Sequence, residues 1–309
     1  MNIVICAIAK LENNYIYDWA KYHLQLGFNH IYIYDNNDID GELIEDVFTG
    51  SQIEDYITII DVRGQKKVQL KVYNSFYRTY DFDWCAFIDI DEYISFNPDS
   101  NISQIDQLVS PLSEHSAIML NWLCYGDCGH IYYEKVPVIN RFQTPITPTN
   151  FVASLYNGTP ENCHIKSIVK KGLGIDWEGE RFPSPNPHIP ANITDICNAL
   201  GQPISCSPWQ PINYDIAYIR HYITLSLEEY IRKIKRGSVI SGSSKKYCIQ
   251  RFFRYNRISI RKLYAAYRLS GSFIFFSVLS EKLKWRLISL KSPLANFYKS
   301  YRNHNRRSV

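Results

Sequence analysis

Hydrophobic residues in the first hundred positions alternate between short apolar runs and longer stretches with helical spacing. The runs "NIVICAIA", "HIYIYDN", "YITIIDV" and "WCAFIDI" have the length and apolar character of buried strands. Between them, apolar residues recur on one helical face in "NYIYDWAKYHLQLG", "GELIEDVF" and "KKVQLKVYNSFYRTY". This alternation predicts an α/β fold with right-handed βαβ units and a mainly parallel sheet covered by helices on both faces.

Polar residues follow each predicted strand, at the end where ligands bind in sheets of this kind. They are Glu12, Asp35, Asn36, Arg63, Asp89, Asp91 and Glu92. Taken singly, Asp35 and Asn36 are also common turn and cap residues, and Arg63 is also a common solvated loop residue. These residues are therefore candidates for a ligand site because they share one edge of the predicted sheet, and not because of any one of them alone.

The stretch "CAFIDIDEYI" brings three carboxylates, Asp89, Asp91 and Glu92, into an apolar strand. Strand alternation predicts that Asp89 and Asp91 share one face. Because an ionised carboxylate is costly in apolar surroundings without a partner, we expect a cation there, unless this strand end is simply solvated. Such oxygen ligands suit Mn²⁺ or Mg²⁺ held together with substrate phosphates.

A D-x-D at a strand end indicates chemistry with a nucleotide diphosphate as the leaving group, and sugar transfer is the leading candidate. The chain contains neither of the glycine-rich phosphate-binding motifs, so metal and basic side chains would have to bind the phosphates. A haloacid-dehalogenase-like phosphatase also uses D-x-D, but on its first strand and with Thr or Val where Tyr93 stands here.

Several segments resemble a glycosyltransferase of the GT-A type, closest to family 92 and the family 2-like group. They are "KLENNYIYDWAKYHLQLGFNHIYIYDNNDIDG", "VQLKVYNSFYRTYDFDWCAFIDIDEYI", "NWLCYGDCGH" through "VINRF", "HIKSIVK" and "IRHYITLSLEEYIRKIKRG". The resemblance spans about residues 3–237. Leu11 departs from it, because the family has Asn at that position.

The resemblance implies a metal-dependent enzyme that transfers a hexose, with inversion, from a nucleotide diphosphate sugar, and a UDP-hexose is the expected donor. It places Asp89 and Asp91 at the metal, with His188 preferred over His221 as an added ligand. Glu12, Asp35 and Asn36 would contact the nucleoside, and Arg63 a phosphate. Asp176 and Glu178, with Asp127 behind them, are the candidates for the base that takes the acceptor proton.

Charge divides the chain into two unequal parts. Residues 231–309 contain 20 Lys and Arg and one acidic residue, Glu281. Residues 1–230 contain the other 14 Lys and Arg and 29 Asp and Glu. We expect a catalytic domain over residues 1–225 and a basic, mainly helical region over residues 226–309 that meets an anionic partner. Phe273, Phe276, Leu279 and Leu283 form an apolar helical stripe beside basic residues, which predicts peripheral binding to an anionic membrane that carries a lipid-linked acceptor.

Two other interpretations stay open: a nucleic-acid-binding protein would explain "RFFRYNRISIRKLYAAYR", and a catalytically idle interaction module would keep the fold for packing alone. Nucleic acid is not the expected partner, because it does not explain carboxylates at strand ends. The N-terminus lacks the layout of a secretory signal, and no stretch reaches 18 apolar residues. A cytoplasmic enzyme with reduced cysteines, acting in surface polysaccharide synthesis on a glycan or lipid-linked acceptor, is expected.

Overall fold

The computed structural model describes residues 1–146, 155–156, 159–178, 186–236 and 248–270. Its strands are β1 (Ile3–Ala9), β2 (His30–Asp35), β3 (Ile57–Asp61), β4 (Trp84–Phe87), β5 (Glu92–Phe96), β6 (Ala117–Cys124), β7 (Leu155–Tyr156), β8 (Thr159–Pro160), β9 (Ile165–Lys170), β10 (Ile196–Asn198) and β11 (Ala217–His221). Its helices are α1 (Asn13–Gln25), α2 (Glu45–Phe48), α3 (Gln69–Thr79), α4 (Ile105–Val109), α5 (Val138–Arg141), α6 (Leu227–Arg236), α7 (Ile249–Tyr255) and α8 (Ile260–Ser270).

Nine strands of the described residues form one sheet, with the path β3-β2-β1-β4-β9-β6-β11-β5 and with β10 beside β6. The first four strands pair in parallel, which confirms the expected βαβ arrangement. Strand β9 is antiparallel to both of its neighbours, and β5 is antiparallel to β11. The sheet is therefore parallel in its N-terminal half and mixed in its second half.

Helices cover both faces of this sheet. All seven residues of β1 are buried, as expected for a strand covered on both sides. Alternate residues of β1 enter different cores: Ile5 packs in the cluster of Trp19 from α1, and Cys6 packs in the cluster of Phe76 from α3. Helix α1 ends before Gly27, whose φ of +92° suits the glycine expected after a helix end.

A third hydrophobic cluster joins the helices of the basic C-terminal region. It includes Leu227 and Tyr230 of α6, Phe252 of α7 and Ala266 of α8. The described part of this region is mainly helical, as expected, whereas the stripe from Phe273 to Leu283 lies outside the described residues. The division at residue 225 stays a prediction.

Two further features bear on the expectations from sequence. All eight cysteines are free in the structure. In the part of the chain that the structure describes, no helix combines the length and apolar character needed to cross a membrane.

Candidate active site

The D-x-D carboxylates lie in a turn and not on a strand face, which corrects the prediction from sequence. Strand β4 ends at Phe87, and the next strand along the chain, β5, begins at Glu92. The Glu92 amide donates to the Asp89 carbonyl at 3.0 Å, and the Asp89 amide donates to Glu92 Oε2 at 2.8 Å. Because these bonds close a turn, Asp89 and Asp91 do not follow strand alternation.

The cation expected beside these carboxylates is, in part, Lys166 from β9. Its side chain is 1% exposed, and its Nζ lies 2.9 Å from Asp89 Oδ2 and 3.2 Å from Glu92 Oε2. Burial alone would lower the pKa of Lys166, but the Asp89 and Glu92 carboxylates raise it, so the ammonium stays charged. Gln69, the first residue of α3, donates to Asp89 Oδ1 at 3.0 Å. Both Asp89 oxygens therefore have fixed partners.

Glu92 is fully buried behind this turn. Its burial raises its pKa to about 8, against the lowering effect of Lys166, and the Asp89 and Asp91 charges add to the rise. Its Oε1 atom has no hydrogen-bond partner among the described residues. Glu92 consequently shapes the turn from inside the protein, where a ligand in solution does not reach it.

Asp91 meets a second lysine, Lys233 of α6, in a short ion pair. His221, at the end of β11, places Nε2 3.8 Å from Asp91 Oδ2. Burial would raise the pKa of Asp91, but the Lys233 ammonium and the His221 ring hold it well below its ordinary value. Asp91 is therefore a carboxylate at neutral pH, with an imidazole and an ammonium beside the same oxygen.

The two candidate histidines both lie next to the ring of Trp122. The ring centroid of Trp122 is 4.1 Å from that of His221 and 5.0 Å from that of His188. His188 Nδ1 is 2.8 Å from the Ile165 carbonyl oxygen, whereas His221 Nδ1 is buried and has no hydrogen-bond partner among the described residues. The structure thus brings His221, and not the preferred His188, next to Asp91.

Glu12, at the start of α1, lies at the edge of a cavity of about 440 Å³ between α1 and α6. Its Oε1 atom forms an ion pair with Nη1 of Arg236 on α6, at a distance of 2.8 Å. Lys10 and Asp38, which also line this cavity, form an ion pair at 2.8 Å. Glu12 is accordingly the candidate for nucleoside contact that faces open space.

The other candidates at the first three strand ends are held in loop contacts. Asp35 is buried, and its two oxygens accept from the amides of Asn37 and Ile44, each at 2.9 Å. The Asn36 amide group donates to two loop carbonyls at 3.0 and 2.9 Å. Arg63 forms a fork on Asp61 with distances of 3.1 and 3.0 Å. No contact of the described residues joins Arg63 to the D-x-D turn.

The three candidates for the base occupy two different places. Asp176 and Glu178 accept from the side chain of Asn74 on α3 at 2.8 and 3.2 Å. Asn74 lies five residues from Gln69, which is about 7.5 Å along a helix. Asp127 is buried beyond β6 and forms a short ion pair with Lys262 of α8. None of the described contacts connects these three carboxylates with Asp89 or Asp91.

Sequence reasoning missed the basic partners Lys166, Lys233 and Arg236. Lys166 carries a weak signal, because it is a single charge inside the otherwise apolar strand "HIKSIVK". Lys233 and Arg236 carry none, because "LEEYIRKIKR" has the pattern of an ordinary amphipathic surface helix. Across the described ranges, no cluster of three or more His, Cys, Asp and Glu side chains forms a complete metal site.

The sequence profile of Glycosyltransferase family 92 matches residues 2–245, and the chain belongs to this family. The recognition made from the motifs is confirmed, and the enzyme is a glycosyltransferase with the α/β fold that the motifs imply. Family membership also weighs against the phosphatase, the nucleic-acid-binding protein and the idle module. No curated protein sequence matches the chain.

Solved structures show distant similarity. Residues 1–349 of S. aureus TarS in complex with UDP-GlcNAc are 11% identical over 96% of this chain and 92% of that chain, with a TM-score of 0.40. The same protein in complex with UDP is 12% identical over 90% and 73%, also with a TM-score of 0.40. HddC from Yersinia pseudotuberculosis is 10% identical over 56% and 71%, with a TM-score of 0.32. Similarities this distant do not bear on function.

Proposed function

We propose that this glycosyltransferase moves a hexose from a UDP-sugar to a glycan or lipid-linked acceptor of surface polysaccharide synthesis, with inversion and with the help of Mn²⁺ or Mg²⁺. The observation that carries the proposal is the turn that places Asp91 beside His221 and Lys233, together with the cavity that Glu12 and Lys233 line. The identity of the donor as a UDP-hexose rests on the family resemblance.

The residues around Asp91 fit a divalent metal that is held jointly with the donor. Carboxylate and imidazole ligands suit Mn²⁺, and metals at such sites commonly complete their coordination with substrate phosphates and water. Asp91 is ionised, and the buried Nδ1 atom of His221 has no hydrogen-bond partner among the described residues, which supports this proposal. A bound metal would neutralise charge on the departing diphosphate. We propose Asp91 and His221 as its ligands, with Asp89 near it and His188 as the alternative imidazole.

Reaction in this site forms a bond between the acceptor oxygen and the sugar C1 atom and breaks the bond from C1 to the diphosphate. The bonding electrons leave with the nucleotide, and the acceptor proton passes to a carboxylate. Asp176, Glu178 and Asp127 stay the proposed bases. Asp176 and Glu178 share Asn74 as a partner, and Asp127 would first have to leave Lys262. We expect one of the variants Asp176→Asn, Glu178→Gln and Asp127→Asn to lose turnover while its affinity for the donor stays unchanged, and that variant identifies the base.

The experiment for the metal and donor is a binding titration of UDP and UDP-GlcNAc with and without Mn²⁺. Asp91→Asn should lose the metal-dependent part of the affinity, because the change removes a ligand charge. Since it also removes a counter-ion of Lys233, circular dichroism is the control for folding. His221→Ala should weaken this dependence more than His188→Ala. Wild-type transfer by Asp91→Asn in Mn²⁺ would refute the D-x-D interpretation.

The basic C-terminal region is proposed to bind an anionic membrane surface that carries the acceptor. On α8, Ile260 and Tyr264 are 86% and 63% exposed, and Arg261 and Arg268 are exposed beside them. Basic residues near an anionic surface contribute about 1 kcal/mol each. Arg261→Gln combined with Arg268→Gln should reduce sedimentation with phosphatidylserine vesicles at low salt, and Lys21→Gln combined with Lys66→Gln is the control that removes two exposed charges elsewhere. Equal sedimentation of all three proteins would contradict the membrane proposal.

A further inference from the structure

Four aromatic rings follow one another from the D-x-D turn outwards, in the order His221, Trp122, His164 and Trp209. Neighbouring ring centroids lie 4.1, 4.9 and 5.9 Å apart along this order. The first ring is next to the reaction centre, because His221 Nε2 lies 3.8 Å from Asp91 Oδ2. These four side chains are the aromatic row. Each of its steps is similar to the width of one pyranose ring.

The sheet topology puts the aromatic row on the same edge as the D-x-D turn. Strands β4 and β6 are both antiparallel to β9, and β11 is parallel to β6. The carboxyl ends of β4, β6 and β11 therefore share an edge with the start of β9. Trp122 and His221 lie in the last residues of β6 and β11, and His164 directly precedes β9. This is the edge at which ligands bind in α/β sheets.

Trp209 is fixed at the outer end of the row. Its backbone forms an antiparallel bridge with His164, and its indole Nε1 donates to His164 Nε2 at 2.9 Å. Because an indole nitrogen can only donate, His164 Nε2 accepts, and His164 Nδ1 donates to the Glu161 carbonyl at 2.9 Å. Burial lowers the pKa of His164, in agreement with a neutral ring. The Trp209 side chain is thus anchored by its polar atom.

Trp209 is nevertheless 41% exposed. A side chain that is already anchored loses little conformational freedom when a ligand packs on it. The face of an aromatic ring is negative, and the C–H groups on one face of a pyranose ring carry a slight positive charge, so the two pack together while the sugar hydroxyls stay at the rim. An anchored and exposed indole is therefore well suited to a carbohydrate.

Trp122 supplies a hydrogen-bond donor nearer to Asp91. Its indole Nε1 atom is buried and has no hydrogen-bond partner among the described residues. Buried donors normally have a partner, and that of an indole nitrogen must be an acceptor, such as the oxygen of a sugar hydroxyl. The aromatic row thus combines an exposed ring with an unpaired donor, as small-molecule sites commonly do.

We propose that the aromatic row is the acceptor subsite, in which one sugar ring stacks on Trp209 and a sugar nearer the reaction centre accepts a hydrogen bond from Trp122 Nε1. The inference rests on the proposed function, because it takes the transfer to occur next to Asp91, and it assigns the acceptor to a carbohydrate chain of two or more sugars. A monosaccharide held beside Asp91 does not reach Trp209. The contribution of Trp209 should therefore appear with oligosaccharides, and neither with monosaccharides nor with the donor.

The test measures binding to the full chain by ligand-detected NMR. The probes are cellotetraose, maltotetraose, chitotetraose and mannotetraose, the monosaccharide of each, and UDP-GlcNAc in Mn²⁺. We expect wild type to bind at least one tetrasaccharide, and Trp209→Ala to weaken that binding at least about fivefold, as truncation of an aromatic anchor does. Trp209→Phe, which keeps a ring, should bind more tightly than Trp209→Ala. Unchanged affinity of Trp209→Ala for UDP-GlcNAc shows that the variant is folded.

The matched control is Tyr56→Ala, which removes an aromatic side chain that is 52% exposed before β3, at the other end of the sheet path. This variant should bind the tetrasaccharide as wild type does. An equal loss in Tyr56→Ala and Trp209→Ala would contradict a specific role for Trp209.

The outcomes separate this inference from the proposed function. A wild-type protein that binds UDP-GlcNAc but none of the tetrasaccharides would overturn the subsite and leave the donor proposal standing, and so would equal tetrasaccharide affinities of wild type and Trp209→Ala. Tetrasaccharide binding that depends on Trp209, without any binding of UDP-GlcNAc in Mn²⁺, would support the subsite and overturn the donor. Equal losses for monosaccharides and tetrasaccharides in Trp209→Ala would refute the position of Trp209 beyond the reacting sugar.

Discussion

Replacing Glu229 by Gln should be among the most damaging single changes of charge in the described structure. The substitution keeps the volume of the side chain and removes the counter-ion of Arg141. The Arg141 guanidinium is 2% exposed, and it forms a two-pronged contact with Glu229. The Ser226 amide also donates to the Glu229 carboxylate at 3.0 Å. The change therefore leaves a buried cation without its partner.

The expected loss is about 3 kcal/mol of unfolding free energy. Removal of one partner from a buried ion pair typically costs roughly 3–5 kcal/mol. We expect the lower end, because Arg141 keeps a bond to the Val136 carbonyl at 2.9 Å and its contact with the Phe142 ring, 4.8 Å from the centroid. Such a loss is a large fraction of the roughly 5–15 kcal/mol that stabilises a typical protein.

The ion pair of Glu229 and Arg141 should also make the free energy of unfolding depend on pH. Burial opposes ionisation of Glu229, but the hydrogen bonds from Arg141 and Ser226 lower its pKa below the ordinary value. A lowered pKa in the folded state gives stabilisation that is present above the unfolded pKa and is lost as pH falls through the folded value. The gap between wild type and Glu229→Gln should accordingly be full at pH 7 and should narrow below about pH 4.

Urea denaturation followed by tryptophan fluorescence measures these terms for wild type, Glu229→Gln, Arg141→Met and the double variant. We expect each single variant to lose about 3 kcal/mol and the double variant to lose at least ~1 kcal/mol less than their sum. A Glu229→Gln protein within ~1 kcal/mol of wild type at pH 7, or strictly additive losses, would refute the role given to this pair.

Three further predictions concern the turn, the cavity and a helix end. Because burial raises the pKa of Glu92 from 4.5 to about 8, the free energy of unfolding should fall as pH rises between those values. Glu92→Gln should remove this pH dependence from urea titrations, and parallel pH profiles of the two proteins would contradict the prediction. Leu11→Asn should raise the melting temperature by about 1–3 °C in a thermal scan, because Asn tolerates the left-handed backbone; a lower value would argue against strain. Gly27→Ala should cost about 1 kcal/mol in urea unfolding, since φ is +92°, and an unchanged midpoint would contradict the helix-end assignment.

The first half of the sheet was predictable from the sequence because its signals are local. Each apolar run before the D-x-D turn became a strand, and the helical stretches became α1, α2 and α3 with shorter bounds. The carboxylates of the D-x-D block were found for the same reason, because three acids inside one apolar run form a contiguous pattern. The hydrophobic period of a strand or helix is set by a few neighbouring residues, so it can be read directly from the sequence.

The tertiary structure alone decided which cations meet those carboxylates. Lys166 reaches Asp89 across 77 positions of the chain, and Lys233 reaches Asp91 across 142. Lys166 arrives on β9, whose antiparallel insertion between β4 and β6 has no local signal. His221 lies beside Asp91 because β11 pairs with β5, which places it opposite Glu92. Ion pairs of this kind depend on how distant elements pack, and hydrophobic spacing within each element does not specify that packing.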